Sequence, residues 1–189
     1  LPPDSKGARA PDRAGHAAAL LAACSSSAAT TGSDSDEPAA SGNRNSSFRE
    51  ALSYREALQV WRTPEDLNAW IGAKFRYDRM RAAALSETRR TGSGHPAIYE
   101  PREFFDNPYG VCVDLSRFAV ETLRQIDPDS KPNYLMIEFE PLQIDGNTMR
   151  MHWLASFRRA GRHYFFADSK RPGHIAGPYA EIGEFINAY

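Results

Sequence analysis

The sequence lacks several features that would assign a protein class at once. Only two of its 189 residues are cysteine, too few for the disulfide framework of a small secreted domain. No apolar run reaches the roughly 18 residues that a membrane-spanning helix requires. The formal net charge is −1, which gives no reason to expect a nucleic-acid partner. A composition of 41% hydrophobic and 25% charged residues is that of an ordinary globular domain.

The spacings that bring metal ligands together are also missing. The sequence contains no CxxC pair and no HxxxH pair, and these are the arrangements typical of zinc sites. His95, His163 and His174 stand in no pattern that suggests a ligand set. We therefore predict no metal and no cofactor.

Composition divides the chain into three parts. Residues 24–47 are nearly all Ser, Ala, Thr, Gly, Asp, Glu, Asn and Pro, which cannot bury enough apolar surface to offset the entropy lost on ordering. This stretch is predicted to be a disordered tether. The aromatic and branched residues that can build a core lie in residues 48–189, which are predicted to form one domain.

Residues 1–23 resemble a bacterial lipoprotein signal. The run Leu21-Ala22-Ala23-Cys24 fits a lipobox, an apolar run comes before it, and basic residues stand near the start of the chain, at Lys6, Arg9 and Arg13. The resemblance implies cleavage before Cys24 and a lipid on its sulfur. The protein would then be anchored in the bacterial cell envelope or periplasm and would meet a membrane only through that anchor. The alternative is an alanine-rich disordered tail.

The first half of the domain has the pattern of helices. Thr63 followed by Pro64 and two acidic residues predicts a helix start, because Thr caps the first turn and Pro suits its first position. Between Val111 and Ile126 the apolar residues recur at helical spacing. A helix buried along one face is predicted there, beginning at about Gly110 to Cys112.

The second half has the pattern of strands. Residues 134–140, 149–158 and 162–168 are rich in the aliphatic and aromatic side chains of half-buried strands. Helices followed by strands indicate an α+β domain with an antiparallel sheet.

Cys112 is the first candidate for chemistry. In the first turn of a helix, unpaired backbone N–H groups and the helix dipole favour the thiolate, which is the nucleophilic form of cysteine. The alternative is a small buried hydrophobic residue, which is the commoner fate of a free cysteine.

His152 and Asp168 are candidates for the groups that assist a thiolate nucleophile. A three-residue hairpin loop over 159–161, with its glycine in the last, left-handed position, pairs Arg158 with Arg162. That register places His152 opposite Asp168 on one face of the sheet. A turn of two residues would put them on opposite faces. The alternatives are an ordinary strand histidine and a strand-end acid.

These segments together resemble the transglutaminase-like superfamily. The resemblance rests on Gly110 to Ala119, on His152-Trp153 and on Phe166 to Ser169, in that order, with further likeness at 66–78 and 101–105. It implies a papain-like fold in which helices carry a cysteine onto an antiparallel sheet that bears the histidine and the aspartate.

The resemblance also implies a role for each residue. Cys112 is the nucleophile, His152 the general base and then acid, and Asp168 the group that orients the imidazole. The oxyanion would be held by the Cys112 backbone N–H and, by position, by Tyr77, which suits the core equally well. Asp114 matches a family position too, but its place two residues after the cysteine suits stabilising the helix start.

The function that follows is acyl transfer or hydrolysis on peptide or amide substrates through a thioester. Water as acceptor makes the protein a cysteine protease or amidase, and an amine makes it a transglutaminase-like crosslinking enzyme. One alternative is a non-catalytic lipoprotein module of the cell envelope that binds peptide or glycan. Another is a purely structural α+β lipoprotein.

Overall fold

A computed structural model describes residues 49–90, 94 and 96–189 of the chain. The predicted lipoprotein signal (1–23), the predicted tether (24–47) and the lipidation candidate Cys24 lie outside the described residues.

The domain consists of helices in its first half and strands in its second. The α-helices are α1 (Tyr54–Val60), α2 (Pro64–Lys74), α3 (Arg79–Leu85), α4 (Glu87–Arg90), α5 (Pro101–Asp106), α6 (Cys112–Ile126) and α7 (Ile182–Ala188). The strands are β1 (Arg76–Tyr77), β2 (Tyr109–Gly110), β3 (Asn133–Ile144), β4 (Asn147–Arg159), β5 (Arg162–Phe166) and β6 (Ala176–Tyr179). A short 3-10 helix, Pro128–Ser130, joins α6 to β3.

Strands β3 to β6 form one antiparallel sheet in the order β3-β4-β5-β6. The short strands β1 and β2 pair in parallel as a separate ribbon, with Tyr77 opposite Gly110. The α+β class with an antiparallel sheet, predicted from the order of helical and strand patterns, is therefore confirmed.

The predicted helix starts are present. The Thr63 hydroxyl accepts the backbone N–H of Asp66 at 3.2 Å, and the Asp66 carboxylate accepts the N–H of Thr63 at 3.2 Å. This reciprocal capping box satisfies two backbone donors that a helix end otherwise leaves free. Pro64 takes the first helical position, as predicted.

Helix α6 lies at the centre of the domain and packs against α1, α2, α5 and β4. Aromatic side chains fill the space around it: Phe118 of α6 lies 4.9 Å from Trp70 and 5.1 Å from Phe104, between ring centroids. All three are buried, and such pairs add about 0.5–1.5 kcal/mol each beyond area burial. The position of Cys112, the first residue of α6, is therefore set by a rigid core.

The described part of the polar segment 79–97 contains two short helices, α3 and α4, separated at Ser86. Arg81 and Ser86 are buried in spite of their polarity. The first part of the segment is thus tied into the domain.

The β4–β5 register differs from the prediction. Arg159 pairs with Arg162 across a two-residue turn, so the predicted three-residue loop is wrong. Ala160 (φ 49°) and Gly161 (φ 77°) are both left-handed. A turn with two left-handed residues matches the twist of the flanking strands, and here Ala160 takes the first of these positions and Gly161 the second.

Two elements at the end of the chain were not predicted. Strand β6 pairs with β5, and α7 packs against β6. Phe185 of α7 stacks on Phe165 of β5 at 4.0 Å and forms a second small core with Leu154. This packing brings Tyr189 against His152 and Asp168.

Candidate active site

Cys112 begins α6, as the apolar periodicity predicts. Val111 before it is extended (φ −120°, ψ −179°), so the chain enters the helix at the cysteine itself. Gly110 is needed there, because a Cβ at this position would lie 2.9 Å from the Phe104 ring and 3.0 Å from the Asp114 carboxylate. The Cys112 side chain is 6% exposed.

His152 and Asp168 are brought together directly. His152 Nε2 lies 3.1 Å from Asp168 Oδ1, and both side chains are buried. His152 is the sixth residue of β4, and Asp168 lies two residues beyond the end of β5.

The pair forms, but the predicted strand register is not what brings the two residues together. The observed ladder ends at Ala155 opposite Phe166 and, if continued, would place Ser169 opposite His152. Ala167 interrupts the strand with a left-handed φ of 56°. An L-residue rarely adopts this conformation, and it ends the alternation of side chains between the two faces. Because of this break, the Asp168 side chain reaches His152, although the observed Arg159–Arg162 register alone would place it on the opposite face of the sheet.

Asp168 accepts hydrogen bonds at both oxygens. The backbone N–H of Lys170 donates to Oδ1 at 2.8 Å, the Tyr189 hydroxyl to Oδ1 at 3.3 Å, and Arg171 Nε to Oδ2 at 3.3 Å. Burial raises the pKa of Asp168, but the His152 hydrogen bond and charge, the Lys170 N–H and the Arg171 charge together outweigh burial and lower it below 3.8. The carboxyl is therefore ionised at neutral pH.

The ionised carboxylate determines which imidazole nitrogen carries the proton. A carboxylate only accepts hydrogen bonds, so Nε2 of His152 must donate to it. In the neutral ring Nδ1 is then the basic nitrogen. This tautomer is the one that a histidine acting as a general base through Nδ1 requires.

A groove of about 490 Å³ opens beside Cys112. The groove is lined by residues of α3 and α4, by residues 96–98, and by residues 148–151 and 153 of β4. Its lining side chains are mostly apolar and include Leu85, Pro96, Ile98, Met149, Met151 and Trp153. Cys112 lines the groove together with Trp153, the neighbour of His152, because α6 packs on β4. His152 itself has no exposed surface.

Tyr77 lies where either predicted role is feasible. It lines the same groove as Cys112, and it is opposite Gly110 in the β1–β2 ribbon. It is also half-buried and packs against the main core.

Arg81 is the main residue of the site region that sequence reasoning missed. Its guanidinium donates from Nε to Asp114 Oδ2 and from Nη2 to Asp114 Oδ1, both at 2.7 Å. These hydrogen bonds raise the pKa of Arg81, against the opposing effect of its burial. The sequence pattern singles out Asp114, two residues after the cysteine, but no local pattern predicts that it pairs with a residue 33 positions away.

Asp114 links α6 to the segment 97–99 beside the groove. Its Oδ2 accepts the Val111 N–H and its Oδ1 the Tyr99 N–H, each at 3.1 Å. Arg81 also donates to the Ala97 carbonyl and lies over the Tyr99 ring. The expectation that Asp114 stabilises the helix start is met; the same carboxylate also holds Tyr99, and its partner Arg81 holds Ala97.

Within residues 49–90, 94 and 96–189, no group of three or more His, Cys, Asp or Glu side chains is arranged to hold a metal ion. In the same part of the chain, no helix is both long and apolar enough to cross a membrane.

Comparison of the chain with models of protein families, with curated proteins and with solved structures finds no match.

Proposed function

We propose that Cys112, His152 and Asp168 form a cysteine-nucleophile triad in a papain-like, transglutaminase-like domain, and that the protein performs acyl transfer or hydrolysis on peptide or amide substrates. The observation that carries the proposal is the buried His152–Asp168 hydrogen bond of 3.1 Å, on a sheet that packs against the helix beginning with Cys112. The groove beside the thiol supplies room for a substrate.

In the first half of the reaction the Cys112 thiol passes its proton to His152 Nδ1. The sulfur attacks the carbonyl carbon of the substrate, and the carbonyl oxygen becomes an oxyanion. The Cys112 backbone N–H, at the first position of α6, donates to that oxygen, and the Tyr77 hydroxyl is the second candidate donor. His152 then protonates the departing amine, the C–N bond breaks and a thioester remains.

In the second half an acceptor enters the groove. Water or an amine gives a proton to His152 Nδ1 and attacks the thioester carbonyl, and the Cys112 thiolate leaves and recovers its proton. Water yields an acid, and an amine yields a new amide. Asp168, ionised at neutral pH, stabilises the imidazolium that forms in each half.

One observation favours a second candidate, a non-catalytic module that binds peptide or glycan. His152 is fully buried, whereas a general acid must reach its leaving group. The apolar groove would then serve binding alone. For either candidate, lipidation at Cys24 would place the domain in the bacterial cell envelope.

The alkylation rate of Cys112 as a function of pH separates the two candidates. At pH ~6 an ordinary thiol of pKa ~8.5 is less than about 1% ionised and reacts slowly with iodoacetamide. We expect rapid alkylation at this pH, slowed at least ~10-fold by His152→Ala. His163 is a histidine of the neighbouring strand β5, so His163→Ala is the matched control and should leave the alkylation rate of Cys112 unchanged.

An ordinary alkylation profile that His152→Ala does not alter would refute the triad. Amide turnover that survives in Cys112→Ala would refute it independently.

A further inference from the structure

Tyr189 lies against the His152–Asp168 pair. Its ring is nearly parallel to the imidazole, with 5.7 Å between centroids and 23° between planes. Its hydroxyl donates to Asp168 Oδ1 at 3.3 Å. One side chain thus contacts both members of the pair, 21 positions from one and 37 from the other along the chain.

The packing of α7 holds Tyr189 in this place. Phe185, one helical turn earlier, is 2% exposed and contacts the Tyr189 ring at 5.4 Å. The Phe185 ring itself stacks on Phe165 of β5. Helix α7 therefore packs on the same sheet that carries His152, and this packing sets the position of Tyr189.

The charged groups around the ring suit this contact. Lys170 Nζ lies 5.1 Å and Arg171 Cζ 5.5 Å from the Tyr189 ring centroid, within the range of cation–π attraction. The charged or titratable groups that face Asp168 are His152, Arg171 and Tyr189, and the Lys170 backbone N–H adds a neutral donor.

We propose that Tyr189 is a positioning residue of the triad, which holds the imidazole plane and keeps water from the His152–Asp168 hydrogen bond. The inference rests on the proposed function. The ring limits rotation of the imidazole, so Nε2 stays on Asp168 and Nδ1 stays turned away from it. The hydroxyl adds a donor that a residue needed only for packing would not require.

The ring and the hydroxyl can be tested separately by NMR. Tyr189→Leu removes both, and we expect the exchange of the His152 Nε2–H proton with water to rise at least ~10-fold, because the pair becomes accessible. Tyr189→Phe keeps the ring, so it should restore slow exchange. It also removes one donor to the ionised carboxylate, so the pKa of Asp168, followed by carboxyl ¹³C shifts, should rise.

Tyr179→Leu is the matched control. Tyr179 contacts Phe185 at 5.6 Å and Phe165 at 5.9 Å, so its loss weakens the same small core. We expect a loss of thermal stability without faster Nε2–H exchange. If Tyr189→Leu leaves the exchange as slow as in the wild type, or accelerates it no more than Tyr179→Leu does, the inference is overturned.

Tyr189→Phe covers the case in which Tyr189→Leu does not fold. An unchanged Asp168 titration in this variant would overturn the role of the hydroxyl. Failure of the proposed function gives a different result: Cys112 would have the pH profile of an ordinary thiol, while Nε2–H exchange would still depend on Tyr189.

In an active enzyme, kcat and KM provide a further test. Tyr189 does not line the groove. Tyr189→Leu should therefore lower kcat ~10-fold through misplacement of the imidazole and leave KM within about twofold. A change in KM alone would contradict a positioning role.

Discussion

Replacement of Arg81 by methionine should destabilise the domain more than any exposed arginine can. The Arg81 side chain is 7% exposed, and it donates twice to Asp114, which has no exposed surface. Methionine keeps much of the apolar length of the side chain and removes the charge. The substitution leaves a buried carboxylate whose remaining donors are the backbone N–H groups of Val111 and Tyr99.

The expected cost follows from this uncompensated charge. Removal of one partner of a buried ion pair typically costs ~3–5 kcal/mol, most of it the penalty of the charge left behind. A domain is commonly stable by only ~5–15 kcal/mol, so Arg81→Met should remove a large share of the total. Changing Asp114 to Asn in the same chain removes the charge and keeps an acceptor for the Val111 N–H. The double variant should therefore be more stable than Arg81→Met alone.

Urea unfolding followed by tryptophan fluorescence measures both changes. Arg159→Met is the matched control, because Arg159 also holds a carboxylate through two hydrogen bonds, to Glu65 at 2.8 and 2.9 Å, but both side chains are about half exposed. Solvent screening limits such a pair to ~0.2–1 kcal/mol. The reasoning is wrong if Arg81→Met costs no more than Arg159→Met, or if adding Asn at 114 gives no recovery.

Three further predictions follow from the site and from the chain before it. Folding lowers the pKa of Asp168, so the stability that its carboxylate contributes is present above pH ~3.9 and is lost as the pH falls toward the folded-state pKa. When the free energy of unfolding is measured as a function of pH, the wild type should therefore lose more stability in acid than Asp168→Asn. Equal losses would contradict this prediction. Gly173→Ala should lower the free energy of unfolding in urea by ~1–3 kcal/mol, because the new Cβ would lie 2.8 Å from the Gly72 Cα and the residue has a φ of +85°. Gly161→Ala is the comparison: its φ is +77° but nothing lies within 4 Å of the new Cβ, so it should show only the smaller cost of placing alanine at a positive φ. Metabolic labelling with a fatty acid should mark the full-length protein expressed in bacteria and not its Cys24→Ser variant; an unlabelled wild type would remove the lipid anchor.

Much of the local structure was determined by the sequence alone. The Thr63 cap, the start of the buried helix at Cys112 and the strand patterns of the second half depend on neighbours within about four residues. Such short-range preferences can be predicted from the local sequence. The turn Asp145-Gly146, with left-handed φ values of 49° and 74°, carries an equally local signal that we did not use, and β3 is accordingly longer than predicted.

The contacts that complete the candidate site were decided by the tertiary structure. His152 and Asp168 were correctly singled out as a pair, but the register used to join them is wrong. The left-handed Ala167 that brings them together has no sequence signal, because the surrounding packing must outweigh its local strain. Arg81 and Tyr189 reach the site through residues far apart along the chain. Such contacts depend on how helices and strands pack, which the periodicity of any single segment does not encode.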